Sequence, residues 1–321
     1  MKPGARLAAA VEILTEILER HRPAALALSD WGRSHRFAGS GDRSAIGNLV
    51  YDALRRKLSL AAMMQADTPR ALAIAAAPRA FAMTPAQVEG LADGSQHALS
   101  AFSPEECAGL ARLLEQDAGT AGIPDHIRAD VPDWLAPSLA AVFGDRLVAE
   151  GEALARRAPV DLRTNTLKTT REKLIAALAK TGAAATPWTS TGVRIAPPDG
   201  PGRTPNVEAD PAHGKGWFEV QDEASQIAAT LAGAGPRMQV LDLCAGAGGK
   251  TLAFGAAMQN TGQIYAYDRD KHQLRPIFER LQRAGVRNVQ IVDPGEETAL
   301  DELGPRFDLV FVDAPCTGSG T

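Results

Sequence analysis

The run Gln239-Val240-Leu241-Asp242-Leu243 reads as a short buried strand, and Cys244-Ala245-Gly246-Ala247-Gly248-Gly249-Lys250-Thr251 follows it directly. A glycine cluster where a strand turns into a helix lets a ligand approach bare backbone. The helix start then offers unpaired N–H groups to something electron-rich. This pattern constrains the second half of the chain to an α/β arrangement and places a candidate site at the turn.

Two familiar glycine patterns fall short. A phosphate-binding loop needs Gly, four residues, then Gly-Lys-Ser/Thr. Gly249-Lys250-Thr251 supplies the end, but Cys244 stands where the first glycine belongs. The dinucleotide pattern G-x-G-x-x-G begins at Gly246 and Gly248 and has Thr251 in its sixth position. The looser loop of S-adenosylmethionine (SAM) methyltransferases remains, because SAM has no phosphates and needs only close backbone approach. On local pattern alone SAM, a nucleotide and a plain strand–helix turn all stay open.

Three later segments narrow the choice. Gln263 to Tyr267 reads as a second strand, ending at Asp268. A carboxylate there, about 20 residues past the glycine loop, suits a ribose with two free hydroxyls. The plainer reading of Asp268 is an N-cap for a helix starting near Asp270. Asn288 to Val292 is a third strand, followed by Asp293, and Phe307 to Val312 a fourth, followed by Asp313-Ala314-Pro315-Cys316. Glycine loop, Asp268, Asp293 and Asp313 all fall at strand C-termini, the edge at which open α/β sheets bind ligands.

An isolated Pro-Cys is ordinarily a turn with an inert thiol. After a fourth strand of this kind, Asp313 and Cys316 gain another reading. Carbon 5 of a pyrimidine becomes nucleophilic only after a thiolate adds to carbon 6. A neighbouring acid that hydrogen-bonds the ring assists that addition.

Here the sequence resembles the RNA 5-methylcytosine methyltransferases of the RsmB/Nop (Sun) type. Leu162-Arg163-Thr164-Asn165-Thr166-Leu167-Lys168 is similar to the family's early Arg-x-Asn-Thr segment. Gly216 to Gln226 is similar to the segment leading into its catalytic domain, Cys244 to Thr251 to its SAM loop, and Asp313 to Cys316 to its Asp-Ala-Pro-Cys motif. The resemblance is close from about residue 160 onward and weak before it. It implies that Cys244, Ala245, Gly246, Ala247, Gly248, Gly249 and Lys250 line the methionine part of SAM. It further implies that Asp268 holds the ribose, that Asp293 lies by the adenine, and that Asp313 faces the methyl donor and the target cytosine. Ala247 stands where the family often has proline. Cys244 is read as a packing residue rather than a nucleophile.

The family uses two cysteines. The one in Asp-Ala-Pro-Cys helps release product, and the nucleophile lies on a later strand. Cys316 therefore takes the release role, and the sequence offers only Cys107 and Cys244 besides it. The expectation is a C-terminally truncated enzyme, lacking the nucleophilic cysteine and the last strands of the sheet and unable to methylate alone.

The expected fold is α/β: a Rossmann-like class I methyltransferase sheet, incomplete at the C-terminus, behind a small α+β subdomain and an N-terminal helical domain. The expected boundaries are 1–150, 151–230 and 231–321. Apolar residues at helical spacing (Leu7, Val11, Leu14, Leu18) predict a helix over Arg6 to Glu19, with others over Ala45 to Met64, Pro104 to Glu115 and Thr170 to Lys180, the last closed by Gly182. Pro197 to Gly216 reads as a long loop, Asp222 as a plain N-cap, and Gly285 as the end of a second sheet-covering helix.

The net charge of −4 does not by itself suggest an RNA binder, but residues 1–60 hold ten Lys/Arg against six Asp/Glu. The cluster Arg33, Arg36, Arg43, Arg55, Arg56 and Lys57 could touch phosphates, or could be a solvated helix face. Three scattered cysteines and six scattered histidines give no disulfide framework and no metal-ligand spacing. With no long apolar run and no signal-peptide pattern, a cytoplasmic protein with no membrane partner is the default; a monomer is expected. RNA is the expected partner, ribosomal rather than transfer RNA by the resemblance. Competing readings are a noncatalytic RNA-binding scaffold and a nucleotide-binding enzyme using Gly249-Lys250-Thr251.

Overall fold

The computed structural model describes residues 1–114, 122–295 and 298–316 and divides into two compact units. One comprises Met1–Arg157 with Pro198–Thr204, the other Ala158–Pro197 with Pro205–Thr321.

The first unit is helical. Helices Pro3–Leu18, Ser40–Arg55 and Pro69–Phe81 pack around Leu7, Ile13, Leu14, Ile46, Leu49, Leu72 and Ile74, all fully buried. The central helix Pro69–Phe81 starts on Pro69, with Thr68 accepting from the Ala71 N–H at 3.2 Å. Its alanines are buried nearly all round, which marks a helix enclosed by its neighbours. The stretch Pro198–Thr204 is held to this unit by Asn48, whose amide donates to the Gly202 carbonyl at 2.9 Å, and by Arg157, which donates to the Gly200 carbonyl at 2.6 Å.

Several helices differ from the sequence reading. The stretch Ala45 to Met64 is two helices, Ser40–Arg55 and Lys57–Met64, because Arg56 leaves helical geometry (φ −120°, ψ 25°). The second of these is capped from afar: Asp130 accepts from both the N–H and the hydroxyl of Ser59. Helix Pro104–Arg112 stops short of Glu115, which lies outside the described residues.

The second unit contains two sheets. Strands β1 (Val160–Thr164), β2 (Ala184–Ala185), β3 (Gly192–Ile195) and β4 (Phe218–Val220) form an antiparallel sheet in the order β2-β3-β1-β4. Leu162 sits opposite Val193 on one side and Val220 on the other, and its side chain joins Leu174, Leu178, Ile195 and Phe218 in a small core. The helix expected from Thr170 to Lys180 is Arg171–Ala177 followed by a 3-10 turn, Ala179–Thr181, with Gly182 in the left-handed region. The expected loop from Pro197 to Gly216 holds a 3-10 turn, Val207–Ala209, and a short helix, Pro211–Gly214, capped by Asp210. A proline in the first helical turn behind an Asp cap is a start signal that the Pro/Gly content of the segment masked.

Strands β5 (Gln239–Asp242), β6 (Gln263–Ala266), β7 (Val289–Ile291) and β8 (Leu309–Phe311) form a parallel sheet in the order β7-β6-β5-β8. Each is one to three residues shorter than the sequence run suggested, though the ladder continues: the Leu243 N–H donates to Phe311 and the Tyr267 N–H to Asp242. The strand order reverses at β5, so a crevice at the C-terminal ends of β5 and its neighbours is the natural ligand position. Helices Gly249–Ala257 and Ile277–Ala284 follow β5 and β6, and Gly285 (φ 73°) ends the second. The fold is therefore the expected one: helices, a small α+β sheet, then a parallel methyltransferase-type sheet.

Candidate functional site

The loop after β5 is shaped by its glycines. Gly246 (φ 50°) and Gly248 (φ 82°) both adopt the left-handed region, and Gly248 leads into helix Gly249–Ala257. A Cβ on Gly248 would lie 2.4 Å from Ile277 Cγ1, so helix Ile277–Ala284 can pack here only against a bare α-carbon. A Cβ on Gly246 would meet only the Asp268 and Gln273 side chains, at 3.9 and 4.0 Å, so that face of the loop is open.

Two arginines fix the loop's carbonyls. Arg280 Nη1 donates to the Ala247 oxygen at 2.8 Å, and Arg163 Nη1 to the Gly249 oxygen at 2.7 Å. Arg163 also donates to Gln221 Oε1 at 2.6 Å. It is buried on β1, and burial brings its pKa down to about 10, which leaves it protonated at neutral pH. Glu219 on β4, also buried, accepts from Arg280 at 2.9 Å and from Arg283 at 2.7 Å. The N–H groups of the first helical turn have no intrahelical acceptor and so can serve a ligand.

The rest of the early motifs fasten the two sheets of this unit together. Asn165 Nδ2 donates to the carbonyls of Gly216 and Ala284 at 2.8 and 2.7 Å. Lys168 Nζ donates to the Arg283 carbonyl at 2.6 Å. Asp222 is the plain N-cap the sequence suggested, accepting from the Ala224 N–H at 2.8 Å.

The strand-end carboxylates sit on this same edge. Asp268 Oδ2 accepts from the Gly246 N–H at 2.9 Å and Oδ1 from the Asp270 N–H at 2.9 Å. The cap of the next helix is Asp270, which accepts from the His272 N–H, so Asp268 is not the cap. Each Asp268 oxygen keeps a lone pair beyond its backbone bond. Asp293 pairs with Lys271 at 2.8 Å and accepts from the Gly295 N–H at 2.8 Å. Asp313, after β8, pairs with Lys250 Nζ at 2.5 Å. The lysine that a phosphate-binding loop would offer a nucleotide is thus bound to a carboxylate.

Asp242, the last residue of β5, was not singled out in the sequence. It is fully buried; Oδ2 accepts from the Thr251 hydroxyl at 2.7 Å, and Oδ1 has no partner among the described residues. Burial pushes its pKa up to about 6, against the Thr251 hydrogen bond, and the charge of Asp313 adds to the rise. The available signal was an acid inside the apolar run Val240-Leu241-Asp242-Leu243, where a buried charge needs a reason.

The cysteines divide by environment. Burial raises the Cys244 thiol pKa, and Asp268, Asp242 and Asp313 push the same way, so it stays a thiol. Cys107 belongs to the helical unit, where burial and Glu89 raise its pKa too. Cys316 is exposed, three residues beyond Asp313. Among the described residues no group of His, Cys, Asp or Glu could hold a metal ion, and no helix is long and apolar enough to cross a membrane.

Residues 229–321 match the family model for the 16S rRNA methyltransferase RsmB/F, and residues 131–199 match the ferredoxin-like domain of the same proteins. The chain belongs to the RsmB/F family. The two matches fall on the second unit's parallel sheet and on the stretch that includes β1, β2 and β3 of its antiparallel sheet. Among RsmB/F relatives, the chain is 31% identical to a probable ribosomal RNA small subunit methyltransferase B of Synechocystis over 59% of its own length and 42% of the relative's. It is 30% identical to ribosomal RNA small subunit methyltransferase B of Sodalis glossinidius over 75% of its length and 52% of that protein's. The chain thus spans about half, or less, of these curated relatives. The crystal structure of PH0851 superposes with a TM-score of 0.63 over 98% of this chain and 75% of that one, at 22% identity, which shows a shared fold.

Proposed function

We propose that this chain binds SAM at the C-terminal edge of the parallel sheet and serves the transfer of its methyl group to carbon 5 of cytosine in RNA, ribosomal rather than transfer RNA. The observation that carries the reading is the charge of that edge. Asp242, Asp268 and Asp313 flank a glycine loop whose only lysine, Lys250, is already paired with Asp313. Such an edge repels a triphosphate and suits a ligand that carries an ammonium and a sulfonium. A nucleotide-binding enzyme built on Gly249-Lys250-Thr251 would need Lys250 free.

The residues present fit SAM. The open face of Gly246 permits close backbone approach, and the Asp268 carboxylate, fixed at the rim by two backbone N–H groups, has lone pairs left for two ribose hydroxyls. Cys244, Ala245, Gly246, Ala247, Gly248, Gly249 and Lys250 would line the methionine part, with Asp293 towards the adenine. When bound, SAM supplies an electrophilic methyl group. Asp313 would orient the target ring from the end of β8, and Cys316 would assist product release. Burial and neighbouring carboxylates disfavour the thiolates of Cys244 and Cys107, which argues against either as the attacking group. Residues 1–150 would contact RNA through their basic stretch, residues 151–230 would brace the loop, and residues 231–321 would hold SAM.

Calorimetric titration of residues 1–321 with SAM and with Mg-ATP tests the reading. Binding of SAM but not of ATP is expected; binding of ATP alone would replace it with a nucleotide-using enzyme.

A further inference from the structure

The helical unit contains a cavity of about 570 Å³ lined in part by Arg56, Arg79, Asp52, Asp130 and Glu152. Of the three arginines on its wall, Arg128 pairs with Asp125 at 3.3 Å, and the other two stand apart. Among the described residues neither Arg56 nor Arg79 is paired with a carboxylate, although salt bridges hold the neighbouring Arg55 and Arg157. Arg56 makes one weak bond, to the Ala155 carbonyl at 3.3 Å, and its Nε is buried with no partner. Burial lowers the Arg56 pKa first and the nearby charge of Arg79 lowers it further, while the carboxylates of Asp130, Asp52 and Glu152 pull it partly back. The two guanidiniums thus lie near enough to repel, and among the described residues no anion is in ion-pair contact with either, an arrangement that costs free energy.

The cavity's acids do not supply that anion. Asp52 is committed to Arg157 at 2.6 Å and to Arg55 at 3.0 Å. Asp130 is committed to the N–H and hydroxyl of Ser59, and its own burial favours the protonated form. Glu152 is exposed, where water and salt screen its charge.

We propose that this cavity is a phosphate-binding site in which Arg56 and Arg79 together hold one anionic phosphate group. A guanidinium presents a planar fork that matches phosphate oxygens, and an anion between two of them removes their repulsion and satisfies the buried Nε. The chemistry is shared by a backbone phosphate of RNA and by free phosphate or a mononucleotide. The site lies wholly within the helical unit, and its test involves neither SAM nor methyl transfer.

Thermal unfolding of residues 1–321 in inorganic phosphate against chloride at equal ionic strength is the first arm. The melting temperature should rise in wild type and not in Arg79→Gln, a substitution at an exposed side chain that makes no hydrogen bond among the described residues. The second arm is the salt dependence of binding to a single-stranded RNA oligomer. Loss of one phosphate contact should reduce the slope of log K against log salt by about 0.7 and weaken binding about tenfold at low salt. A changed RNA slope assigns the site to the RNA backbone. A phosphate-dependent shift lost in Arg79→Gln with an unchanged RNA slope assigns it to a free phosphate compound. Equal thermal shifts in wild type and Arg79→Gln, together with equal RNA slopes, would overturn the proposal. Arg56→Gln should repeat the Arg79→Gln result wherever it folds.

Discussion

The guanidinium of Arg163, buried on β1, donates to the carbonyl oxygen of Gly249 at 2.7 Å. One residue of the small antiparallel sheet thereby sets the backbone of the glycine loop on the parallel sheet. Arg280 does the same for Ala247 from the helix after β6.

Replacing Arg163 should therefore act on both stability and ligand binding. Arg163→Met leaves the Gly249 carbonyl and Gln221 Oε1 without their donor and removes a positive charge close to buried Glu219. A loss of about 2–3 kcal/mol in urea unfolding is expected, with weaker SAM binding in the fraction that remains folded. Unchanged stability would mean that the arginine does not hold the loop.

The two left-handed glycines should separate packing from binding. Gly248→Ala drives a Cβ into Ile277 and strains a φ of 82°, so it should cost about 2–3 kcal/mol of stability. Gly246→Ala meets open space and should cost about 1 kcal/mol from its φ alone. Its main effect should be on SAM affinity, weakened about tenfold, equivalent to about 1.4 kcal/mol. Unfolding curves and calorimetry on the same two variants check this; equal effects on stability would refute the separation.

Asp242 carries a pH signature. Its pKa rises from 3.8 to about 6 on folding, so the native state holds this proton more tightly than the unfolded chain does. Its contribution to stability is therefore most favourable below about pH 4 and falls as pH rises through 6, by about 3 kcal/mol in all. Asp242→Asn keeps an acceptor for the Thr251 hydroxyl and cannot ionise. The stability of this variant relative to wild type should climb between about pH 4 and 6 and level off above. A flat difference across that window would show that Asp242 is charged in the native protein throughout.

Much of the candidate site's placement at the strand ends was legible because its parts are backbone signals. Glycines at a strand–helix turn and acids behind apolar runs located the loop, Asp268, Asp293 and Asp313 without any knowledge of pairing. What the sequence hid was long-range. Arg163 meets Gly249 across 86 positions and Glu219 meets Arg283 across 64, and no local pattern reports such partners. The break at Arg56 was hidden for the same reason, since Asp130, 71 positions past Ser59, caps the helix that starts there. Asp242 escaped because strand runs are read for their apolar residues.

On the proposed role of Cys316 in product release, and with the thiolates of Cys244 and Cys107 disfavoured, residues 1–321 should bind SAM without methylating RNA. A radiolabelled methyl-transfer assay on unmodified ribosomal RNA checks this. Turnover that is lost in Cys316→Ser would reassign Cys316 as the attacking thiolate.

The glycine loop and Asp268 are proposed to hold SAM together. Calorimetric titration of SAM into wild type and Asp268→Ala tests it most directly, with Mg-ATP as the competing ligand. Wild type should bind SAM, a folded Asp268→Ala should bind it at least tenfold more weakly, about 1.4 kcal/mol or more, and neither should give heat with Mg-ATP. Folded wild type that ignores SAM, or equal SAM affinity in the two proteins, would contradict it.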